Sequence, residues 1–185
     1  ITEGTAGMVT LNIIADSLAE SEETVVITLG TPTNAALGSV TQRTVTIVEE
    51  NVAPMLSLVV TQGGIDGRIV SADGGLLTVT ASYTDVNIGD THTFAWAAAV
   101  YDMPSVVIDG TVATFDPFSL GGTIVSAEAS VTDSGASLLT TSAAASIKIL
   151  TVAPVLGDTD TDGDGVSDAL EGYGDSDDDG IPDYK

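Results

Sequence analysis

The chain has 185 residues, enough for one or two compact domains and a tail, and its formal net charge of -23 argues against nucleic acid or an anionic membrane surface as a partner. Hydrophobic residues make up 43%, so composition does not force disorder, while aromatics at 4% leave an apolar content of Val, Ile, Leu and Ala mixed with Thr and Ser, as pleated sheets favour. The lack of cysteine removes thiol catalysis and a disulfide framework and leaves the redox compartment open. No apolar run reaches the length of a membrane span, and Ile1 opens no signal peptide, so an export signal is expected to lie outside these residues.

In chain order, MVTLNII (8–14) alternates with Val9, Leu11 and Ile13 on one face, which predicts a half-buried strand. After the polar connection ADSLAESEE, TVVITLG repeats the alternation at Val25, Ile27 and Leu29 before the turn signals Gly30, Pro32 and Asn34. TVTIV places Val45 and Ile47 on one face of a third strand, which closes on Glu49, Glu50 and Asn51. The succession of a strand, Asp16, Leu18 and Glu20, then Glu23 and Thr24 into VVITL, then Ala36, Leu37 and Gly38, then TVTI and an acidic pair resembles the second half of a Calx-beta domain. The resemblance spans residues 1–52 and implies calcium ligands at Asp16, Glu20, Glu49 and Glu50; solvated loop acids are the other reading, since glutamates replace the family's closing aspartates. Three strands offer one apolar face with no second sheet to cover it, so the missing strands are expected either earlier in a longer chain or from another subunit by strand addition.

NVAPMLSL recurs in outline as TVAPVLGD, with Pro54 and Pro154 one hundred positions apart, which reads as matching linkers around a domain at 53–153. That length suits an immunoglobulin-like sandwich. Strands are predicted at 55–61, 76–83, 91–98, 105–109, 111–116, 123–132 and 140–150, with turns at Gly63-Gly64, Gly74-Gly75, Asp109-Gly110, Gly121-Gly122 and Ser134-Gly135. LTVTASYTDVNIGDTHTFAW (77–96) and AEASVTDSGASLLTTSAAASIKI (127–149) resemble strands of PKD-type and related bacterial immunoglobulin-like repeats, although Ala97 to Ala99 stand where that family has a Gly-Asp-Gly turn. His92 alternates with Phe94 and Trp96 and reads as a core or interface histidine, with Trp96 as the core tryptophan. Asp85, Asp90 and Asp133 read as turn aspartates bonding their own backbone, or as a group meeting at a domain end around another calcium.

The last segment, 154–185, carries ten aspartates and Glu171, 11 of the 27 acidic residues. Asp160, Asp162, Asp164, Gly165, Val166, Asp168 and Glu171 occupy positions 1, 3, 5, 6, 7, 9 and 12 of a twelve-residue calcium loop. Alternate side chains of a tightly curling backbone converge on one point, Gly165 permits the turn, Val166 offers its carbonyl, and a carboxylate at position 12 closes the cage. Asp175, Asp177, Asp179, Gly180, Ile181 and Asp183 restart the pattern fifteen residues on, and the twelfth position would be residue 186. That second loop is expected to be closed by water, by a neighbouring carboxylate or by whatever follows Lys185; a merely solvated acidic tail is the competing reading. Pro154 and Gly157 exclude a helix before the first loop and so argue against an EF-hand. The tandem DxDxDGxxD phrase instead resembles the thrombospondin type 3 repeat, which implies calcium-wrapped loops with those aspartates as ligands.

No nucleophile elbow, phosphate-cradling loop, zinc spacing or nucleotide fingerprint is present, and the aromatic platforms of a sugar site are scarce. The sequence thus predicts an all-β, non-enzymatic chain of immunoglobulin-like sandwich modules in tandem, followed by a calcium-binding tail with little regular structure. The expected setting is the bacterial surface or extracellular space. The expected partners are Ca2+, neighbouring modules or copies of the same protein, and cell-surface or polysaccharide ligands. The expected function is a calcium-stiffened structural or adhesive module of a secreted surface protein; a subunit of an extracellular filament assembling by strand complementation and a non-catalytic accessory region of a secreted hydrolase are the alternatives.

Overall fold

The computed structural model describes residues 8–14, 22–48, 50–135, 137–177 and 179–185. The chain forms two compact units, 1–49 and 50–185. In the first, β1 (Glu23–Thr28) and β2 (Gln42–Ile47) pair antiparallel, with Glu23 opposite Ile47 and Thr28 opposite Gln42. The bond from Leu29 N–H to the Thr41 carbonyl (2.8 Å) extends the ladder. Val26, Leu29, Val40, Val45 and Val48 stay exposed, because two strands cannot cover their own apolar faces. Residues 8–14 alternate as a strand would but adopt none: Met8, Val9 and Ile14 are exposed, and among the described residues no ladder receives them. Asp16, Glu20 and Glu49 lie outside the described residues.

The second unit is a β-sandwich. One sheet contains, in spatial order, β4 (Ile65–Asp66), β3 (Met55–Gln62), β6 (Leu77–Thr84), β9 (Val112–Phe115) and β8 (Val107–Asp109). The other contains β5 (Ile69–Ser71), β11 (Thr140–Leu150), β10 (Ile124–Asp133) and β7 (His92–Trp96). With β3, β6, β7, β8, β9, β10 and β11 lettered A to G, the sheets read A-B-E-D and G-F-C, the seven-strand immunoglobulin arrangement. All seven predicted strands of this unit are present. Two lie elsewhere than expected at their ends: β7 stops at Trp96 because Ala98–Tyr101 form the single turn α1, and β8 begins at Val107.

Burial alternates with period two, as in eieBeBiBiB along β10, so each inner face meets its counterpart. Leu58, Val60, Leu77, Val79 and Phe115 from one sheet join Trp96, Ala127, Ala129, Ala145, Ile147 and Ile149 from the other in one core. Ala129 lies opposite Trp96 in register, and the small residue leaves room for the large one. Trp96 packs edge-on against Phe94, with centroids 5.3 Å apart, and its indole N–H donates to the Gly110 carbonyl at 3.2 Å. The three inward residues of β7 behave as their alternation predicts.

β4 and β5 were hidden in the glycine-rich run GGIDGRIVSADGG. Gly63 and Gly64 both have positive φ (61° and 83°), which makes the β3–β4 connection a two-residue hairpin. β5 then crosses to the other sheet and pairs parallel with β11, Ile69 opposite Lys148. The buried Gln62 side chain holds the crossing: its amide donates to the carbonyls of Ser71 (2.7 Å) and Gly75 (3.0 Å), and its oxygen accepts from Ser71 N–H (2.9 Å).

Candidate metal centre

In the first tail loop, the Asp160 carboxylate accepts from Gly163 N–H (2.7 Å) and Gly165 N–H (3.0 Å), so the backbone winds around the side chain of position 1. Gly163 and Gly165 have φ of 83° and 96°, a left-handed region that side chains with a Cβ disfavour. Asp162 accepts from Asp164 N–H (3.2 Å) and Asp164 from Val166 N–H (2.8 Å). These short bonds curl the chain until one carboxylate oxygen from each of Asp160, Asp162 and Asp164 lies within 4.8 Å of the others. Val166, at position 7, is thereby fixed where its carbonyl is the group that position would offer.

Asp168 faces otherwise than a direct ligand would. It is 7% exposed, and its two oxygens accept from Thr161 N–H and Thr161 O–H, each at 2.8 Å, which staples the start of the loop to its end. In calcium loops this ninth position often acts through water. Asp168 also opens α2 (Asp168–Glu171), a single helical turn that delivers Glu171 to the loop. The Glu171 Oε2 atom is buried with no hydrogen-bond partner among the described residues. Desolvation first, then the charges of Asp162, Asp164, Asp168 and Asp160, push its carboxyl above the ordinary glutamate value.

The second loop repeats this geometry fifteen residues on. Asp175 accepts from Asp179 and Gly180 N–H, Asp177 from Asp179 N–H, and Asp179 from Ile181 N–H. Asp183 takes Ser176 N–H and O–H as Asp168 takes those of Thr161. The backbone bond from Asp168 N–H to Thr159 recurs from Asp183 N–H to Gly174. Oxygens of Asp175, Asp177 and Asp179 again converge within 4.8 Å. An open cleft of about 490 Å³ is lined by Asp162, Asp164 and Glu171 of one loop and Asp177, Asp179 and Asp183 of the other, with Lys185 on its wall.

The tail is docked on the sandwich. Tyr173 and the buried Ser71 share a hydroxyl bond of 3.0 Å, and Asp175 is 2% exposed. A Cβ on Gly67 would come to 2.7 Å from the Asp175 nitrogen, so the residue after β4 must be glycine for residues 174–175 to lie against it. Nothing in the sequence linked the GGIDGRIV run to the acidic tail; the pairing is a matter of tertiary approach.

At the other end of the sandwich, Asp85, Asp90 and Asp133 do meet, with one oxygen of each within 4.8 Å of the others. His92 is half-buried beside them, its Nε2 2.8 Å from Asp85 Oδ2. Glu50 is exposed, and its carbonyl accepts from the Asn87 amide (2.9 Å). Compared with known proteins, no family model matches the chain and no curated sequence is significantly similar to it.

Proposed function

We propose that the chain is a calcium-stiffened structural or adhesive module of a secreted bacterial surface protein, with no catalytic role. The observation that carries this reading is the fifteen-residue repeat of hydrogen bonds in 158–185, which twice curls three aspartates onto one point and once sets an unpartnered Glu171 oxygen beside them. Hydrogen bonds from the backbone organise these carboxylates but do not neutralise them. A hard divalent cation would, and six or more oxygen ligands suit Ca2+. Under this reading the ligands are Asp160, Asp162, Asp164, the Val166 carbonyl and Glu171, with Asp168 acting through water, and Asp175, Asp177, Asp179, the Ile181 carbonyl and Asp183 in the second loop. The loops are thrombospondin type 3-like and the sandwich PKD-like.

The mechanism is electrostatic. Without the ion, the crowded carboxylates repel one another; with it, residues 158–185 hold one geometry against the sandwich edge through Tyr173 and Asp175. Extracellular modules of this kind bind with dissociation constants of about 0.1–1 mM, a range that calcium outside the cell saturates and the cytosol leaves empty. Calorimetric titration of the full chain against Asp164→Ala tests the assignment: the variant should bind at least about tenfold more weakly at one site, as expected when a charged ligand is removed. Equal heats and affinities from both proteins would sink it.

A second reading, a filament subunit joined by strand complementation, has one observation in its favour: the β1–β2 hairpin keeps Val26, Leu29 and Val45 exposed. Electron microscopy with and without chelator separates the two. Ordered fibres favour the filament, and discrete monomers in both conditions remove it.

A further inference from the structure

We propose that Asp85, Asp90 and Asp133 hold a further divalent cation of the calcium class, at the end of the sandwich opposite the tail. Met55 pairs with Thr84 and Asp133 with His92, so the start of β3, the end of β6, the start of β7 and the end of β10 share this end; Gln62 pairs with Leu77 at the other. Asp85 follows β6 in one sheet, Asp90 precedes β7 in the other, and Asp133 ends β10 beside it. The acids therefore come from both sheets and converge through the closure of the sandwich, while Asp85 and Asp133 also bond their own backbone two residues on, at Asn87 N–H (2.9 Å) and Gly135 N–H (3.2 Å), as turn aspartates do.

Burial makes their charge expensive. Asp133 and the Asp85 side chain are each 3% exposed, and Asp90 Oδ2 is buried with no hydrogen-bond partner among the described residues. Three carboxylates side by side repel one another. Arg68, Lys148 and Lys185 line grooves beside the tail instead. A carboxylate oxygen withdrawn from water without a donor is destabilising, and a cation beside it removes that cost. Carboxylates alone make a hard donor set, which selects calcium over zinc or copper.

The surrounding groups are placed as an outer shell. His92 N–H orients Asp85 from behind. Asn51 Nδ2 and the N–H groups of Gly135 and Leu139 hold Asp133 Oδ1, at 3.0–3.2 Å, and Asn51 also reaches Oδ2 (3.1 Å). The Asn51 amide oxygen is itself buried and has no partner among the described residues. A Cβ on Gly135 would overlap the Asn51 amide, so this glycine is what lets Asn51 reach the cluster. Since Val52 N–H donates to Asn87 and Asn87 to the Glu50 carbonyl, an ion here would fasten residues 50–52 to the sandwich end.

Calcium titration of the full, demetallated chain followed by amide NMR tests the site, alongside Asp90→Asn and Asp164→Ala. The amides of Asn87, Thr91, Gly135 and Leu139 should shift in the wild type and in Asp164→Ala. In Asp90→Asn their response should weaken at least about tenfold, while Gly165 and Val166 respond as before. Wild-type amides at this end that stay in place up to about 10 mM calcium, an order above the range of extracellular modules, overturn the site without reference to any variant. Wild-type affinity retained in Asp90→Asn overturns it equally. Loss of the Gly165 response alone would count against the tail loops and leave this site standing.

Discussion

Glu171 is the residue on which the first loop's chemistry turns. Its carboxyl lies above the ordinary value because of desolvation and four neighbouring aspartates, so without an ion its contribution to stability is present below pH about 4.5 and lost as pH rises through the raised value. Calcium reverses the preference, since only the carboxylate binds. Calcium affinity measured by calorimetry should therefore be weaker at pH about 5 than at pH about 7, and Glu171→Gln should both weaken binding and flatten that dependence. A wild-type affinity independent of pH over this range would remove Glu171 from the site. Asp133 has the opposite sign. Bonds from Leu139, Asn51 and Gly135 with the charge of His92 hold it below the ordinary value, so its contribution is present above pH about 3.8 and lost as pH falls through the lowered one.

At the scale of elements, the short strand β5 depends on one side chain. Gln62 satisfies the N–H and carbonyl of Ser71, a fully buried residue, so Gln62→Leu should cost about 1–3 kcal/mol in chemical denaturation, the penalty for leaving buried backbone groups unpaired. The contact between β4 and the tail depends on a missing side chain. Gly67→Ala places a Cβ against the Asp175 nitrogen at a φ of 145°, and should undock residues 173–175. Faster hydrogen exchange at Asp179, Gly180 and Ile181, with the β3–β6 ladder still protected, is the expected result; unchanged exchange would mean that the second loop holds without the sandwich. The sequence hid both features for a common reason. Strands of two and three residues set among glycines carry no period to read, and β5 takes its partner from a strand about eighty positions away.

For the molecule, the tail belongs to the same compact unit as the sandwich. Ion binding to the loops should then stabilise the folded unit by mass action. With dissociation constants of about 0.1–1 mM, roughly 2 mM calcium contributes about 0.7–1.8 kcal/mol per site, which corresponds to a rise of about 2–7 °C in Tm for a unit of this size. Differential scanning calorimetry with calcium and with chelator checks this. A Tm that does not move would count against docking and ion binding being linked.

The sequence by itself determined the class of fold and the register of the acidic loops. Alternation in β3, β10, β11 and the first five residues of β6 needs no partner to be recognised, because period two states which face is buried; the DxDxDG spacing likewise encodes its own curl, since each of its aspartates bonds a backbone N–H two to five residues away. Residues 8–14 mark the limit of that logic, for they alternate and, among the described residues, join no ladder. Only the tertiary structure decided that Gly67 receives the tail, that Ser71 meets Tyr173, and that Asp85, Asp90 and Asp133 converge with His92. Those meetings join residues up to about one hundred positions apart, and their geometry is set by how two sheets close on each other. A local pattern carries no record of that closure.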